Sequence, residues 1–231
     1  MSDTKRKLAA IVFTDIAGFT KLSSNNEPAA LALLEKQREL LQPVVEKNNG
    51  EWLKEIGDGL LLAFGTIRDA VDCAIEIQHL TKEIESLDLR IGIHQGEVVF
   101  QDNDVVGDDV NIASRIEPFA ATGGIAISGR VNSSLDRDPE FDTEYLGTPD
   151  LKGVNQEVKV YCIVSHNLPK TNVNEVQAKI EKKGFKWNLL SLSGAALTLI
   201  GLLFWINISF IGIGIADTNE VLSVAVLPFE N

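Results

Sequence analysis

Apolar residues fall in short runs closed by glycine, aspartate or asparagine, and the period of each run predicts an element. Leu8 to Phe13 is apolar and ends in Thr14-Asp15-Ile16; it reads as a buried strand. From Glu27-Pro28, apolar residues recur at Leu31, Leu34, Leu41, Val44 and Val45, the spacing of one helical face. Proline is tolerated in the first turn, Pro43 is placed to kink the helix, and Asn48-Asn49-Gly50 ends it. Glu51–Ile56, also read as buried, and Leu60–Phe64 flank Gly57-Asp58-Gly59, a hairpin signal. Residues 67–86 predict a second amphipathic helix, with Ala70, Cys73, Ala74, Ile77 and Leu80 on one face.

The remaining elements are shorter. Leu89–Ile93 and Glu97–Phe100 predict two strands around Gln95-Gly96, with His94 as a structural strand residue between them. Asp102-Asn103-Asp104 reads as a loop, Asp108–Ala121 as a third helix, Gly124–Ile127 as a strand and Ser128–Leu135 as a short helix. Phe141–Leu146 and Glu157–Val164 form a final strand pair around Leu151-Lys152-Gly153. Strands interleaved with helices predict an α/β (α+β) sandwich.

Beyond this part the pattern changes. Residues 1–7 are a polar tail, 8–165 the folded domain, and 166–187 a polar, basic linker. No charge occurs from Leu189 to Ala216, more than the roughly 20 residues a helix needs to cross a bilayer. Residues 188–216 therefore predict one transmembrane helix. Lys179, Lys182, Lys183 and Lys186 precede it, while Asp217 and Glu220 follow. The positive-inside rule then places the N-terminal domain in the cytoplasm, as part of a single-pass protein of the inner or plasma membrane. Residues 217–231 read as the start of a truncated extracytoplasmic region.

Composition narrows the chemistry. The net charge is −12, which argues against nucleic acid as a partner. Cys73 and Cys162 sit in apolar patterns without metal-ligand spacing and read as buried free thiols. Asp15 and Asp58 end or join apolar segments, where a carboxylate is costly unless paired or bound to a cation. If they converge, they form a hard-oxygen site suited to Mg²⁺. The plainer alternative is a helix cap at Asp15 and a turn at Asp58.

Four segments carry a family resemblance. Val12-Phe13-Thr14-Asp15-Ile16 and Lys54-Glu55-Ile56-Gly57-Asp58-Gly59 resemble the metal-binding motifs of class III nucleotidyl cyclases. Arg90-Ile91-Gly92-Ile93-His94-Gln95-Gly96-Glu97 resembles their central hairpin, and Asp104 to Arg115 their nucleotide-binding and transition-state segment. The similarity covers about residues 7–165, with the motifs in family order.

The resemblance implies a ferredoxin-like class III nucleotidyl cyclase fold, followed here by the transmembrane helix. It implies adenylyl cyclase activity on ATP, giving cyclic AMP and pyrophosphate. Asp15, Asp58 and the backbone carbonyl of Ile16 would hold two divalent ions, Mg²⁺ or Mn²⁺, which clamp the attacking ribose oxygen and the phosphates. Arg115 would stabilise transition-state charge, and Asn111 would orient the ribose. Lys54 and Asp104 match the adenine-reading pair, where guanylyl cyclases typically carry glutamate and cysteine. Lys152 resembles a lysine that binds the terminal phosphates; a plain loop lysine is the alternative. In the family each site lies between two head-to-tail domains, so a chain holding every role implies a homodimer with two shared sites. Three other readings remain: a guanylyl cyclase, a catalytically silent nucleotide-binding dimerisation module, and another palm-type nucleotidyltransferase.

Overall fold

The structure, a computed structural model, describes residues 5–101, 104–172 and 174. One eight-stranded mixed sheet organises them. The strands are β1 (Lys5–Ile16), β2 (Gly50–Ile56), β3 (Gly59–Phe64), β4 (Leu89–Gln101), β5 (Asp104–Val106), β6 (Ile125–Ser128), β7 (Thr143–Gly147) and β8 (Val160–Ile163). Their order is β2-β3-β1-β4-β6-β8-β7, with β5 paired to β4. All pairings are antiparallel except β4 with β6. The helices are α1 (Phe19–Asn25), α2 (Glu27–Lys47), α3 (Ile67–Thr81), α4 (Asp108–Ile116) and α5 (Gly129–Leu135).

The central strands are apolar on both sides because both faces are covered. Ala10, Val12 and Ile16 of β1 pack with Leu33, Leu41 and Val44 of α2 and with Val71 and Ile77 of α3. Ala9 and Ile11 point the other way and pack with Val98, Val105 and Ala113. Helix α4 therefore covers the face opposite α2 and α3. Local caps set the helix starts. The Asn26 side chain accepts from Ala29 N, and Thr66 Oγ1 accepts from Asp69 N, each satisfying a first-turn donor.

Several expectations need correction. The two strands expected around Gln95-Gly96 are one continuous strand, β4. Gly96 does not turn the chain; a Cβ there would collide with the Asp109 carboxylate, so the glycine makes room for that side chain. Gly92 does the same for α4, because a Cβ would sit 2.5 Å from Glu117 N and 2.7 Å from Ala113 O. Strand β2 is not buried: as the sheet's edge it is exposed or half-exposed throughout. The second helix stops at Thr81, and the third passes at Glu117-Pro118-Phe119 into a 3₁₀ turn, as expected when proline removes a helical donor. Leu31 and Leu80 face solvent, while Ala30, Leu33 and Gln37 supply the inner face of α2. Pro43 lies inside an unbroken α2. Helix α1 was not anticipated. Cys73 and Cys162 are buried free thiols, as expected, and burial pushes Cys73 up to about 12.

The transmembrane helix of residues 188–216, the region 217–231 and most of the linker lie outside the described residues. Among the described residues no helix is long and apolar enough to cross a membrane.

Candidate active site

Two carboxylates meet at one end of the sheet. Asp15 is the penultimate residue of β1, and Asp58 occupies the tight β2–β3 turn beside Gly57, whose φ is 65°. Strands β1 and β3 are neighbours, paired from Ala10 with Phe64 to Thr14 with Leu60. That register delivers the turn to the end of β1. Ile16 N donates to Asp58 Oδ2 at 3.1 Å, and Gln37 Nε2 reaches Asp58 O at 3.4 Å. Leu60 N donates to the buried Thr14 Oγ1 at 3.2 Å, which fixes the same corner. Gly59 is required here, since a Cβ would lie 2.6 Å from Thr14 O. Burial first, and then the negative charge of Asp15, push the Asp58 carboxyl above its ordinary value.

Sequence reasoning quoted Arg90 but gave it no role. Arg90 pairs with Asp15 across the β1–β4 ladder, and its Nη2 donates to Asp15 Oδ2. Its Nε donates to Glu117 Oε1 at 2.7 Å, and the Glu117 side chain is only 6% exposed. Burial opposes the charge on Arg90, but Glu117 and Asp15 outweigh it and raise the guanidinium above its ordinary value. A chain of charges thus runs from Asp58 through Asp15 and Arg90 to Glu117. The usable signal was a lone arginine in an apolar strand, which demands a partner.

The other expected residues sit on separate elements. Asn111 and Arg115 are exposed on one face of α4, while Ile112, Ala113 and Ile116 turn inward. Lys54 is exposed on β2, just past a register shift between Trp52 and Lys54. Asp104 opens β5, opposite Gln101. Strands β2 and β5 approach one another, which brings the segments bearing Lys54 and Asp104 together. Lys152 is exposed in a turn between β7 and β8. Its neighbour Leu151 packs with Ile112 and Ile116 of α4, so this turn folds back over the α4 face of the sheet.

The donor set suits a hard divalent cation. Among the described residues no group of three or more His, Cys, Asp or Glu side chains converges. Mg²⁺ is commonly held by one or two carboxylates, with substrate phosphates and water completing its shell. The Asp15–Asp58 pair, with one carboxyl driven up by burial and its neighbour's charge, meets that description.

His94 is structural, as expected. It is 2% exposed, and its Nε2 lies 3.0 Å from Asp109 Oδ1. Burial lowers its pKa from the ordinary 6.5, more strongly than Asp109 raises it. A depressed folded-state value means the unfolded chain binds the proton more readily. The stability His94 permits is present above 6.5 and falls as pH drops toward the depressed value. Urea denaturation of wild type and His94→Gln should show this. Wild type loses more stability than the variant between pH 7.5 and pH 5.5; equal losses would contradict it.

Comparison with known proteins agrees with this geometry. The chain matches the adenylate and guanylate cyclase catalytic domain family over residues 2–165. It is 32% identical over 165 residues to "Putative adenylate cyclase 3" of Rhizobium meliloti, covering 68% of this chain but only 28% of that protein. An adenylate/guanylate cyclase/hydrolase structure from Silicibacter pomeroyi superposes with a TM-score of 0.65 at 32% identity, covering 73% of this chain and all of that one. The adenylyl cyclase CyaB of P. aeruginosa gives a TM-score of 0.63 at 26% identity, over 71% of this chain and 96% of that one. With a paired-carboxylate corner, an α4 presenting Asn111 and Arg115, and a family match over most of its length, the chain belongs to the adenylate and guanylate cyclase catalytic domain family.

Proposed function

We propose that the protein is an adenylyl cyclase, converting ATP to 3′,5′-cyclic AMP and pyrophosphate at sites shared between two head-to-tail copies. The observation that carries this reading is the Asp15–Asp58 corner, where Asp58 is hydrogen-bonded to Ile16 N and its carboxyl is raised by burial and by Asp15. Asp15 and Asp58, with the Ile16 carbonyl, would hold Mg²⁺ or Mn²⁺. The bound ions would acidify the ribose 3′-hydroxyl and neutralise phosphate charge. Arg115 projects a permanently charged, planar donor from the outer face of α4, suited to charge that grows in the transition state. Asn111, one turn earlier, orients the ribose. Lys152 binds terminal phosphates.

Lys54 and Asp104 favour adenine. A carboxylate accepts from adenine's exocyclic amine, whereas guanine presents a carbonyl there and leaves two acceptors facing. One copy would give Asp15 and Asp58, and the other Lys54, Asp104, Asn111, Arg115 and Lys152. Pairing two copies head to tail supplies a full set of roles at each of two sites. The apolar run of residues 188–216 would anchor the chain in the membrane, with the cyclase domain cytoplasmic. Confinement to a plane raises the effective concentration for pairing.

The test is product formation by the full chain with ATP and with GTP, in Mg²⁺ and in Mn²⁺. Cyclic AMP should form, with kcat/KM for ATP at least about 100-fold above that for GTP, since a buried acceptor left unpaired costs about 1–3 kcal/mol at each contact. Lys54→Glu with Asp104→Cys should narrow or invert that ratio. A preference for GTP in the wild type would establish a guanylyl cyclase instead. No product from folded, dimeric protein would establish a silent module.

A further inference from the structure

Strand β4 has a gap along one side. Strand β6 pairs with it at Ile91–Ile93 and β5 at Val99–Gln101. Between His94 and Val98 no strand lies on that side among the described residues. A bare stretch of strand leaves backbone donors and acceptors to be satisfied. Two side chains do so. Asp109 Oδ2 accepts from Glu97 N at 2.8 Å, and Arg130 Nη1 donates to Gln95 O at 3.3 Å. Asp109 Oδ1 also lies 3.0 Å from His94 Nε2 and 3.6 Å from Arg130 Nη1. A carboxylate only accepts, so His94 Nε2 carries the proton. Gly96 leaves the room this needs, since a Cβ there would strike the carboxylate.

An acidic residue in a helix's first turn ordinarily serves that helix's own N-terminus. Asp109 turns to the strand instead, and α4 has no side-chain cap. Just past the other end of α4, Glu117 holds Arg90 of the same strand at 2.7 Å. Helix α4 is thus tied to β4 at both ends. Asn111 and Arg115 stand between the ties, and both are exposed. Without the Asp109 tie, the start of α4 is free to shift against β4 and to carry both side chains with it.

We propose that Asp109 is a positioning residue for the cyclase reaction. Its hold on the open side of β4 fixes how α4 lies, and so where Asn111 and Arg115 stand. This rests on the adenylyl cyclase reading above and adds a residue to which that reading gives no role.

The test uses the full chain with ATP. Asp109→Ala should lower kcat by about tenfold or more, since small misplacements of reacting groups are costly. KM should change by less than about threefold, because Lys54, Asp104 and Lys152 lie on other elements. The Gly96→Ala/Asp109→Ala double variant should match Asp109→Ala in kcat, because the new methyl enters the space the carboxylate leaves. It also keeps the test valid should Asp109→Ala fold poorly. Mixing separates positioning from general damage. Equal amounts of Asp109→Ala and Asp58→Ala should recover about one quarter of wild-type activity, as Arg115→Ala with Asp58→Ala should. Asp109→Ala with Arg115→Ala should give no more than the average of the two alone. An unchanged kcat in folded Asp109→Ala overturns the proposal. So does a folded, dimeric Asp109→Ala that recovers with neither partner while the Arg115→Ala control recovers, or one that recovers with Arg115→Ala. If the control mixture stays silent, the shared-site reading fails and kcat of the single and double variants decides. A wild type that forms no product overturns the cyclase reading, and this inference with it; an active wild type with an equally active Asp109→Ala overturns this inference alone.

Discussion

Asp58→Ala should reduce cyclic nucleotide formation by at least about 1,000-fold, while the protein stays folded. On the proposed mechanism the carboxylate at the β2–β3 turn is one of two that would hold the metal ions, and replacing it leaves Asp15 as the remaining acid there. Losses of this size are expected when the electrostatic anchor of a phosphoryl-transfer centre is removed. Folding should survive, because burial and a neighbouring negative charge already disfavour the ionised carboxylate. Arg115→Ala should be similarly inactive, through a residue on a different element. The informative measurement is the mixture. If one copy supplies Asp58 and the other Arg115, equal amounts of the two variants give half heterodimers, each with one intact site of two. Activity should then return to about one quarter of wild type. A mixture as inactive as its components would show that each site is built within one chain.

Glu117→Ala should damage both stability and turnover. The Glu117 carboxylate is buried and holds Arg90 Nε at 2.7 Å, while Arg90 also holds Asp15. Removing one partner of a buried pair leaves the other charge undercompensated, at a cost of about 3 kcal/mol. Because Asp15 shares this network, kcat should also fall, by about tenfold or more. Denaturation midpoint and kcat should drop together in Glu117→Ala. Glu117→Asp keeps the charge and should recover more of the stability than of the rate, because the shorter side chain misplaces Arg90. An unchanged kcat in a destabilised Glu117→Ala protein would confine Glu117 to a folding role.

The carboxylate corner was legible in the sequence because its signals are local. An apolar run ending in Asp15 and a Gly-Asp-Gly turn each name their own geometry, whereas their convergence was a condition that the β1–β3 register meets. The α4 pair was legible for the same reason, since Asn111 and Arg115 are one helical turn apart. The Arg90–Glu117 link was not. Its partners are 27 residues apart and meet only because α4 folds back over β4. Gly96 misled in a different way. Glutamine-glycine in an apolar run reads as a turn, yet here the missing side chain admits Asp109, a close approach that spacing cannot reveal. Helix α1 lacked a signal because Phe19–Asn25 buries no residue fully and so shows little periodicity. Leu31 shows the converse, a residue that fits the helical period and still faces water.

The margin of the sheet has a bearing on how copies of this chain can join. Strand β2 is an open edge, but it bulges near Leu53 and carries Glu51, Lys54 and Glu55. Arg38 clamps Glu55 by two contacts of 2.7 Å, and Lys7 lies 3.9 Å from Glu51. A kinked, charged edge is a poor template for another strand. A second copy is thereby steered away from backbone-to-backbone extension at this edge, which would propagate into fibres. A homodimer of the kind proposed would then rest on side-chain faces and could part without unravelling either sheet.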